Sequence, residues 1–116
     1  MKIAINKCYG GFSISHEAAL KLREKGVKVT LEGEKFPDGS GPLKYGKEDG
    51  YHLSNDDFDI KDDNYNLWRC DKRLIEVIEE LGEKESSGRR SNIVIVDIPD
   101  DVEWEIDEYD GKKDED

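Results

Sequence analysis

The residues with the clearest capacity for chemistry lie near the start of the chain, where a short alternating apolar segment ends at two glycines. Gly10 and Gly11 are followed by the hydroxyl groups of Ser13 and Ser15 and by the imidazole of His16, where a helical pattern begins. Free backbone N–H groups and the positive end of a helix dipole attract anions. The pattern therefore predicts a site for a phosphate or a similar anion.

This turn matches neither of the common phosphate-binding motifs. It lacks the lysine of the nucleoside-triphosphatase loop, and its glycine spacing differs from the dinucleotide fingerprint. Arg89 and Arg90 could clamp a nucleotide-like anion if the fold brings them to the turn. The simpler interpretation is that the glycines let the chain turn and that Ser15 caps a helix. No catalytic residue is assigned, and an enzyme is the less favoured class.

Negative charge is concentrated at the other end of the sequence. Residues 100–116 hold ten acidic and two basic side chains, which is −8 of the net charge of −11. Such a surface disfavours direct binding of nucleic acid. It is either a solvated end that aids solubility, which is the simpler interpretation, or a surface that binds a partner protein with a basic surface. An alternating strand in this segment would place its carboxylates on one face. The predicted partner-binding residues are Glu103, Glu105, Asp107, Glu108 and Tyr109.

An aspartate cluster and two cysteines are further candidates for chemistry. Asn55, Asp57 and Asp59 have the alternating spacing of a calcium loop, but Ile60 occupies the glycine position and Asn66 the glutamate position. We therefore expect no metal site and no cofactor. Two cysteines, Cys8 and Cys70, fit no metal or redox spacing and are expected to be free thiols in a reducing cytosol. No apolar run approaches the ~20 residues that span a bilayer, so no membrane association is expected.

Hydrophobic periodicity predicts two helices and about four strands. One helix follows Ser15 as its N-cap and the other follows Asp71, and each has an apolar face. The predicted strands are residues 2–7, 27–31, 92–98 and 102–107, with short strands also expected near 43–45 and 58–60. The strand at 92–98 is apolar without interruption and is predicted to be central and buried on both faces.

These elements predict a small α/β or α+β sandwich with about four strands, two helices and an irregular middle excursion. Residues 1–111 would form a single domain with a loop-rich region at 32–66, because turn signals are dense there. Residues 112–116 would be a frayed acidic tail. The oligomeric state stays open.

Three segments together resemble an uncharacterised family of small bacteriophage and prophage proteins. They are the opening Asn6-Lys7-Cys8-Tyr9-Gly10-Gly11-Phe12-Ser13, the helix around Leu74-Ile75-Glu76-Val77-Ile78, and the close Ile98-Pro99-Asp100-Asp101-Val102-Glu103-Trp104-Glu105-Ile106-Asp107-Glu108-Tyr109-Asp110-Gly111. The resemblance implies a phage setting, the cytoplasm of a bacterial host, and action on host machinery that includes defence systems. It assigns no activity to individual residues.

Two hypotheses of different classes follow. In the first, the chain is a phage accessory protein that binds a host protein through its acidic C-terminal face, as an inhibitor of a nucleic-acid-handling or defence complex. In the second, it binds a nucleotide-like ligand, or acts on one, at the glycine-rich turn. The residues of that alternative site are Gly10, Gly11, Ser13, Ser15, His16, Arg89 and Arg90.

Overall fold

The computed structural model describes residues 1–7, 11–89 and 91–99. Within these ranges the chain forms two antiparallel strands, four α-helices and two short 3₁₀ helices. The strands are β1 (Lys2–Asn6) and β2 (Ile93–Asp97), the α-helices are α1 (His16–Glu24), α2 (Gly46–Asp49), α3 (Lys72–Leu81) and α4 (Glu83–Ser86), and the 3₁₀ helices are Asn55–Phe58 and Leu67–Cys70.

Both predicted helices are confirmed, together with their caps. The Ser15 hydroxyl accepts a hydrogen bond from the Ala18 N–H at 3.2 Å at the start of α1. The Asp71 carboxylate accepts from the Arg73 N–H at 2.9 Å at the start of α3. These caps satisfy N–H groups that have no partner inside the helix. The buried residues of the two helices are those that the periodicity indicates: Ala18, Ala19, Leu22, Leu74, Ile75, Val77 and Ile78.

The predicted sandwich of about four strands with two helices is wrong, because the sheet has two strands in the described ranges. The β-branched segment 27–31 forms no ladder. Its Val27 N–H bonds to the carbonyl of Leu22, and its Lys28 N–H bonds to the carbonyl of Asp57. The segment 58–60 starts inside a 3₁₀ helix, and 43–45 lies outside any strand. Strand propensity was therefore overridden by tertiary partners. The predicted strand at 102–107 lies outside the described residues.

β2 is not a central strand in the described part of the sheet. One edge pairs with β1, so that Ile3 lies opposite Val96. On the other edge, the Ile93 N–H donates to the Ser87 hydroxyl and the Ile95 N–H donates to the Glu83 carboxylate, both at 2.9 Å. Side chains of α4 and of the residue after it therefore occupy the edge where a neighbouring strand was expected. Only partial burial is found at Val94, Ile95 and Val96.

The irregular middle region contains an ordered projection, residues 33–43, which we call the finger. Its two arms are joined by hydrogen bonds from the Gly33 N–H to the Leu43 carbonyl and from the Leu43 N–H to the Glu34 carbonyl, both 2.9 Å. Nearer the tip, the Phe36 N–H donates to the Ser40 carbonyl. Leu43 packs against the main hydrophobic core, whereas residues 33–42 are exposed. The finger is therefore a structured surface feature that is attached to the core at its base.

Candidate functional site

The glycine-rich turn leads into a junction of three chain segments around Ile14. Ile14 and Tyr51 exchange two backbone hydrogen bonds of 2.9 Å, and the Ser15 N–H donates to the Ser86 carbonyl at 2.9 Å. Residues 13–15 thus run between two extended neighbours in the manner of a short central strand. The N–H groups of Ile14 and Ser15, which the sequence suggested for anion binding, are directed to carbonyl oxygens.

The Ser13 side chain lies in the same junction and is 4% exposed. Two glycines on the neighbouring segments leave room for its hydroxyl. A Cβ atom at Gly50 would lie 3.0 Å from the Ser13 oxygen, and one at Gly88 would overlap it. Gly50 also has a φ of +94°, which favours glycine. These contacts give Ser13 and the two glycines a packing role.

Ser15 and His16 have defined partners at the start of α1. The Ser15 hydroxyl, which accepts the capping bond, also donates to the Glu85 carbonyl at 2.6 Å. The His16 Nδ1 atom lies 2.8 Å from the Tyr51 hydroxyl, and this hydroxyl accepts from the Glu32 N–H at 3.1 Å. The Tyr51 hydroxyl thus bridges the His16 ring and the backbone of Glu32. The structure therefore joins His16 to Tyr51 and to the base of the finger.

Arg89 is paired with α2. Its Nη1 atom lies 3.0 Å from Oε1 of Glu48 and 3.7 Å from Oδ1 of Asp49. Gly11 is exposed beside the ring of His52. The other two members of the predicted ligand site, Gly10 and Arg90, lie outside the described residues. The contacts of the described residues in this predicted site stabilise the fold. Ligand binding at the turn stays a prediction.

All five predicted partner-binding residues also lie outside the described ranges. They are Glu103, Glu105, Asp107, Glu108 and Tyr109. Their role stays a prediction.

The structure contains two depressions beside the finger that the sequence did not reveal. We call the larger one, with a volume of about 520 Å³, the Lys47 depression. The smaller one, with a volume of about 250 Å³, is the Asp57 recess. The Lys47 depression is lined by Glu32, Gly33, Pro42, Leu43, Lys44, Tyr45, Lys47 and Glu48, and the Asp57 recess by Thr30, Phe36, Pro37, Leu43, Gly50, Tyr51, His52 and Asp57.

Asp57 is the charged group of the smaller recess. Burial raises the pKa of its carboxyl group, and the neighbouring charge of Asp56 acts in the same direction. One carboxylate oxygen accepts from the Ser54 N–H at 2.9 Å, which opposes that rise. Lys28 bonds to Asp57 through its backbone, but its ammonium pairs with Asp59 at 3.1 Å. Among the described residues, Asp57 therefore has no ion pair.

His52 supplies a second polar group to the recess. Its Nδ1 atom lies 3.0 Å from the carbonyl oxygen of Phe12 and can only donate in that contact, so a neutral ring leaves Nε2 as an acceptor. Phe36 provides aromatic surface, at 39% exposure, whereas Tyr51 is buried behind the wall of the recess, at 2% exposure. The recess thus combines aromatic surface with hydrogen-bond acceptors.

The carboxylates that line the Lys47 depression are already engaged. Glu32 accepts from the Lys47 N–H at 2.9 Å, and Glu48 is paired with Arg89. The ammonium groups of Lys44 and Lys47 have no ion pair within the described part of the chain. This depression therefore has two cations without ion pairs among the described residues, one carboxylate (Glu32) that accepts a backbone N–H, and an exposed aromatic ring, Tyr45.

The aspartate cluster and the described cysteine have structural contacts. In the ranges that the structure describes, no three His, Cys, Asp or Glu side chains are arranged to hold a metal ion. Asn55, which the calcium pattern suggested as a ligand, accepts from the Trp68 N–H at 3.0 Å and donates to the Asn64 carbonyl at 2.9 Å.

Burial raises the pKa of the Cys70 thiol, which donates to the Leu67 carbonyl. A raised pKa lowers the thiolate fraction and with it the reactivity of Cys70.

Comparisons of the chain with protein-family models, with curated proteins and with solved structures give no match. The resemblance to phage and prophage proteins therefore stays a prediction. None of the helices in the described ranges has both the length and the apolar composition needed to cross a bilayer.

Proposed function

We propose that the chain is a bacteriophage or prophage accessory protein that acts in the host cytoplasm by binding a host protein with a basic surface. The observation that carries this proposal is the concentration of charge in residues 100–116, where ten acidic and two basic side chains supply −8 of the net −11. Proteins that handle nucleic acid have basic grooves, which such a segment complements. The proposed action is inhibition of a nucleic-acid-handling or defence complex.

Ion pairing elsewhere supports this assignment, because it leaves the charge surplus in one segment. The acidic face of α3 is matched by lysines from other parts of the chain. Lys2 lies 2.5 Å from Glu79, and Lys21 and Lys25 lie 3.6 Å and 3.4 Å from Glu80. Each exposed pair adds little to stability. Together they reduce the net field of this face, and residues 1–99 as a whole carry a net charge of only −3.

Exposed aromatic side chains also support protein binding. Phe36, Tyr45 and Tyr65 are 39%, 62% and 83% exposed. Aromatic residues are enriched in protein interfaces, where they provide large contact areas at low conformational cost. Two of the three lie in or beside the finger. The finger is thus a second candidate contact surface, in addition to the acidic segment.

The test is an affinity capture from bacterial lysate that compares matched charge variants. One variant neutralises Glu103, Glu105, Asp107 and Glu108 by substitution with glutamine or asparagine. The control removes the same number of charges at exposed sites elsewhere, as E17Q, E24Q, D63N and E85Q. A further single variant, Y109A, tests the aromatic residue of the predicted site.

We expect the wild type and the control to capture the same stoichiometric partner and to release it at high salt, since screening weakens attraction between exposed charges. The C-terminal variant should lose that partner at physiological salt. Retention of the partner by this variant, or capture that high salt does not weaken, would contradict the proposal. So would a wild-type protein that captures no partner from a host lysate.

A further inference from the structure

We infer that the Asp57 recess binds an arginine side chain of the partner protein. This inference rests on the proposed function, because it requires a partner with a basic surface. It assigns a specific contact to a region that is remote in sequence from the acidic segment.

The first argument is the size and shape of the recess. Its volume of about 250 Å³ is below the roughly 300–1,000 Å³ of pockets that hold whole small molecules. A single long side chain suits this space. Phe36, which is 39% exposed, lines it with aromatic surface on which a guanidinium group can stack.

The second argument is the set of polar groups. Asp57, His52 and Thr30 line the recess, and their side chains carry hydrogen-bond acceptors: a carboxylate, an imidazole nitrogen and a hydroxyl oxygen. Among the residues that the structure describes, no lysine or arginine lines it. A guanidinium group has five N–H donors and no acceptor, and therefore matches this arrangement.

The third argument is that the carboxylate of Asp57 lacks a counter-charge. Burial has removed water from it without supplying an ion pair from the described residues, which is why its pKa is raised. An incoming cation would supply that pair and stabilise the ionised carboxylate. The Lys47 depression is less suited to a cation, because Lys44 and Lys47 line it.

Arginine fits the recess better than lysine. A lysine ammonium is a compact, strongly hydrated charge, whereas a guanidinium group is planar, more weakly hydrated and able to bond several separate acceptors at once. The recess has separate acceptors and aromatic surface. Both features favour the planar group.

The test is a nuclear magnetic resonance titration of the full-length protein with the tripeptide acetyl-Gly-Arg-Gly-amide. Two peptides of the same length serve as controls, one with lysine and one with uncharged citrulline in the central position. We expect saturable shifts of the Thr30 and Gly50 amides and of the His52 ring with the arginine peptide, at a dissociation constant on the order of 1 mM. The citrulline peptide should produce no saturable shift.

Protein variants locate the site. D57N keeps an oxygen that can accept from the Ser54 N–H and should weaken arginine binding about fivefold or more, because it removes the charge. F36A changes an exposed side chain and should weaken binding about two- to threefold. Y45A, in the Lys47 depression, is the matched control and should leave binding unchanged.

Equal binding of the citrulline or lysine peptide, or an unchanged affinity in D57N, would overturn the inference. Shifts that spread over the whole surface without saturation would do the same. Failure here is distinguishable from failure of the proposed function, because this titration uses no partner protein and the capture experiment does not alter the recess. When the affinity capture is repeated with single variants, D57N should weaken capture of the partner protein, while D63N should not.

Discussion

The two depressions beside the finger share Leu43 but differ in size and charge. The Lys47 depression is about twice as large, at about 520 Å³ against about 250 Å³ for the Asp57 recess. It is lined by Lys44 and Lys47, whose ammonium groups have no ion pair among the described residues. In the smaller recess one carboxylate lacks an ion pair among the described residues. A half-buried carboxylate with a raised pKa therefore distinguishes the functional candidate better than cavity volume does.

Both depressions depend on one buried contact, and breaking it should have the largest effect. Gly46 packs directly on the Tyr51 ring, where a Cβ atom would lie 2.5 Å from Cε2. We expect G46A to lower the free energy of unfolding by about 1–3 kcal/mol, because overpacking displaces the ring or α2. Chemical denaturation measures this, with exposed K47A as the control expected to change stability by less than about 0.5 kcal/mol. If G46A matched K47A, the two depressions would not share this support.

Acidification should have the second largest effect, and it should distinguish the Asp57 recess from the Lys47 depression. Because folding raises the pKa of Asp57, the folded protein takes up a proton on this group at a higher pH than the unfolded chain does. This group therefore disfavours folding slightly at neutral pH, and that penalty disappears as the pH falls through its raised pKa. Arginine binding requires the ionised carboxylate and should be lost over the same range.

The pH titration of arginine-peptide affinity needs a control because His52 lines the recess and Asp56 is adjacent. The same titration of D57N reports the contribution of those groups alone. We expect a steep acid loss in the wild type and a flatter profile in D57N. Parallel profiles would assign the loss to a group other than Asp57.

Removal of the aromatic ring from each depression should have a smaller effect. F36A should weaken arginine binding about two- to threefold, through the loss of a cation–π contact that is worth roughly 0.5–1 kcal/mol at an exposed site. Y45A removes the corresponding ring of the other depression and should have no effect on that affinity. An equal loss in both variants would indicate that the peptide contacts the finger as a whole.

The smallest expected effect concerns the lysines. K44Q with K47Q removes two positive charges near the finger, and exposed charges at this distance act weakly through solvent. Arginine binding should increase by no more than about twofold at physiological salt. A larger increase, measured by the same titration, would place the peptide in the Lys47 depression and would reverse the comparison.

The sequence predicted the elements whose signals are local. Helix α1 follows the cap at Ser15, and α3 follows the cap at Asp71, because each signal lies within one turn of the helix it starts. The segment 27–31 has strand propensity, but its backbone partners, Leu22 and Asp57, include one that is distant in the chain. Such partners cannot be read from periodicity.

The Asp57 recess escaped sequence analysis for a similar reason. Its polar groups, on Thr30, His52 and Asp57, come from three separate segments, and in the sequence Asp57 indicates only a calcium-like pattern. One available signal was the turn at Pro37-Asp38-Gly39, which marks the tip of the finger. The sequence also locates the predicted ligand-binding turn. It does not show that Ser13 and Ser15 contact distant segments near Tyr51 and Ser86.

The junction at Ile14 also constrains how the molecule folds. Ile14 forms β-bridges with both Tyr51 and Ser87, and each bridge closes a long loop of chain. Closing a long loop costs entropy before its contacts contribute, so these bridges form after local elements such as α3. One wall of the recess, Gly50 to His52, is attached to this junction. A peptide that contains only residues 30–58 would therefore contain all the side chains of the recess and still lack the binding site.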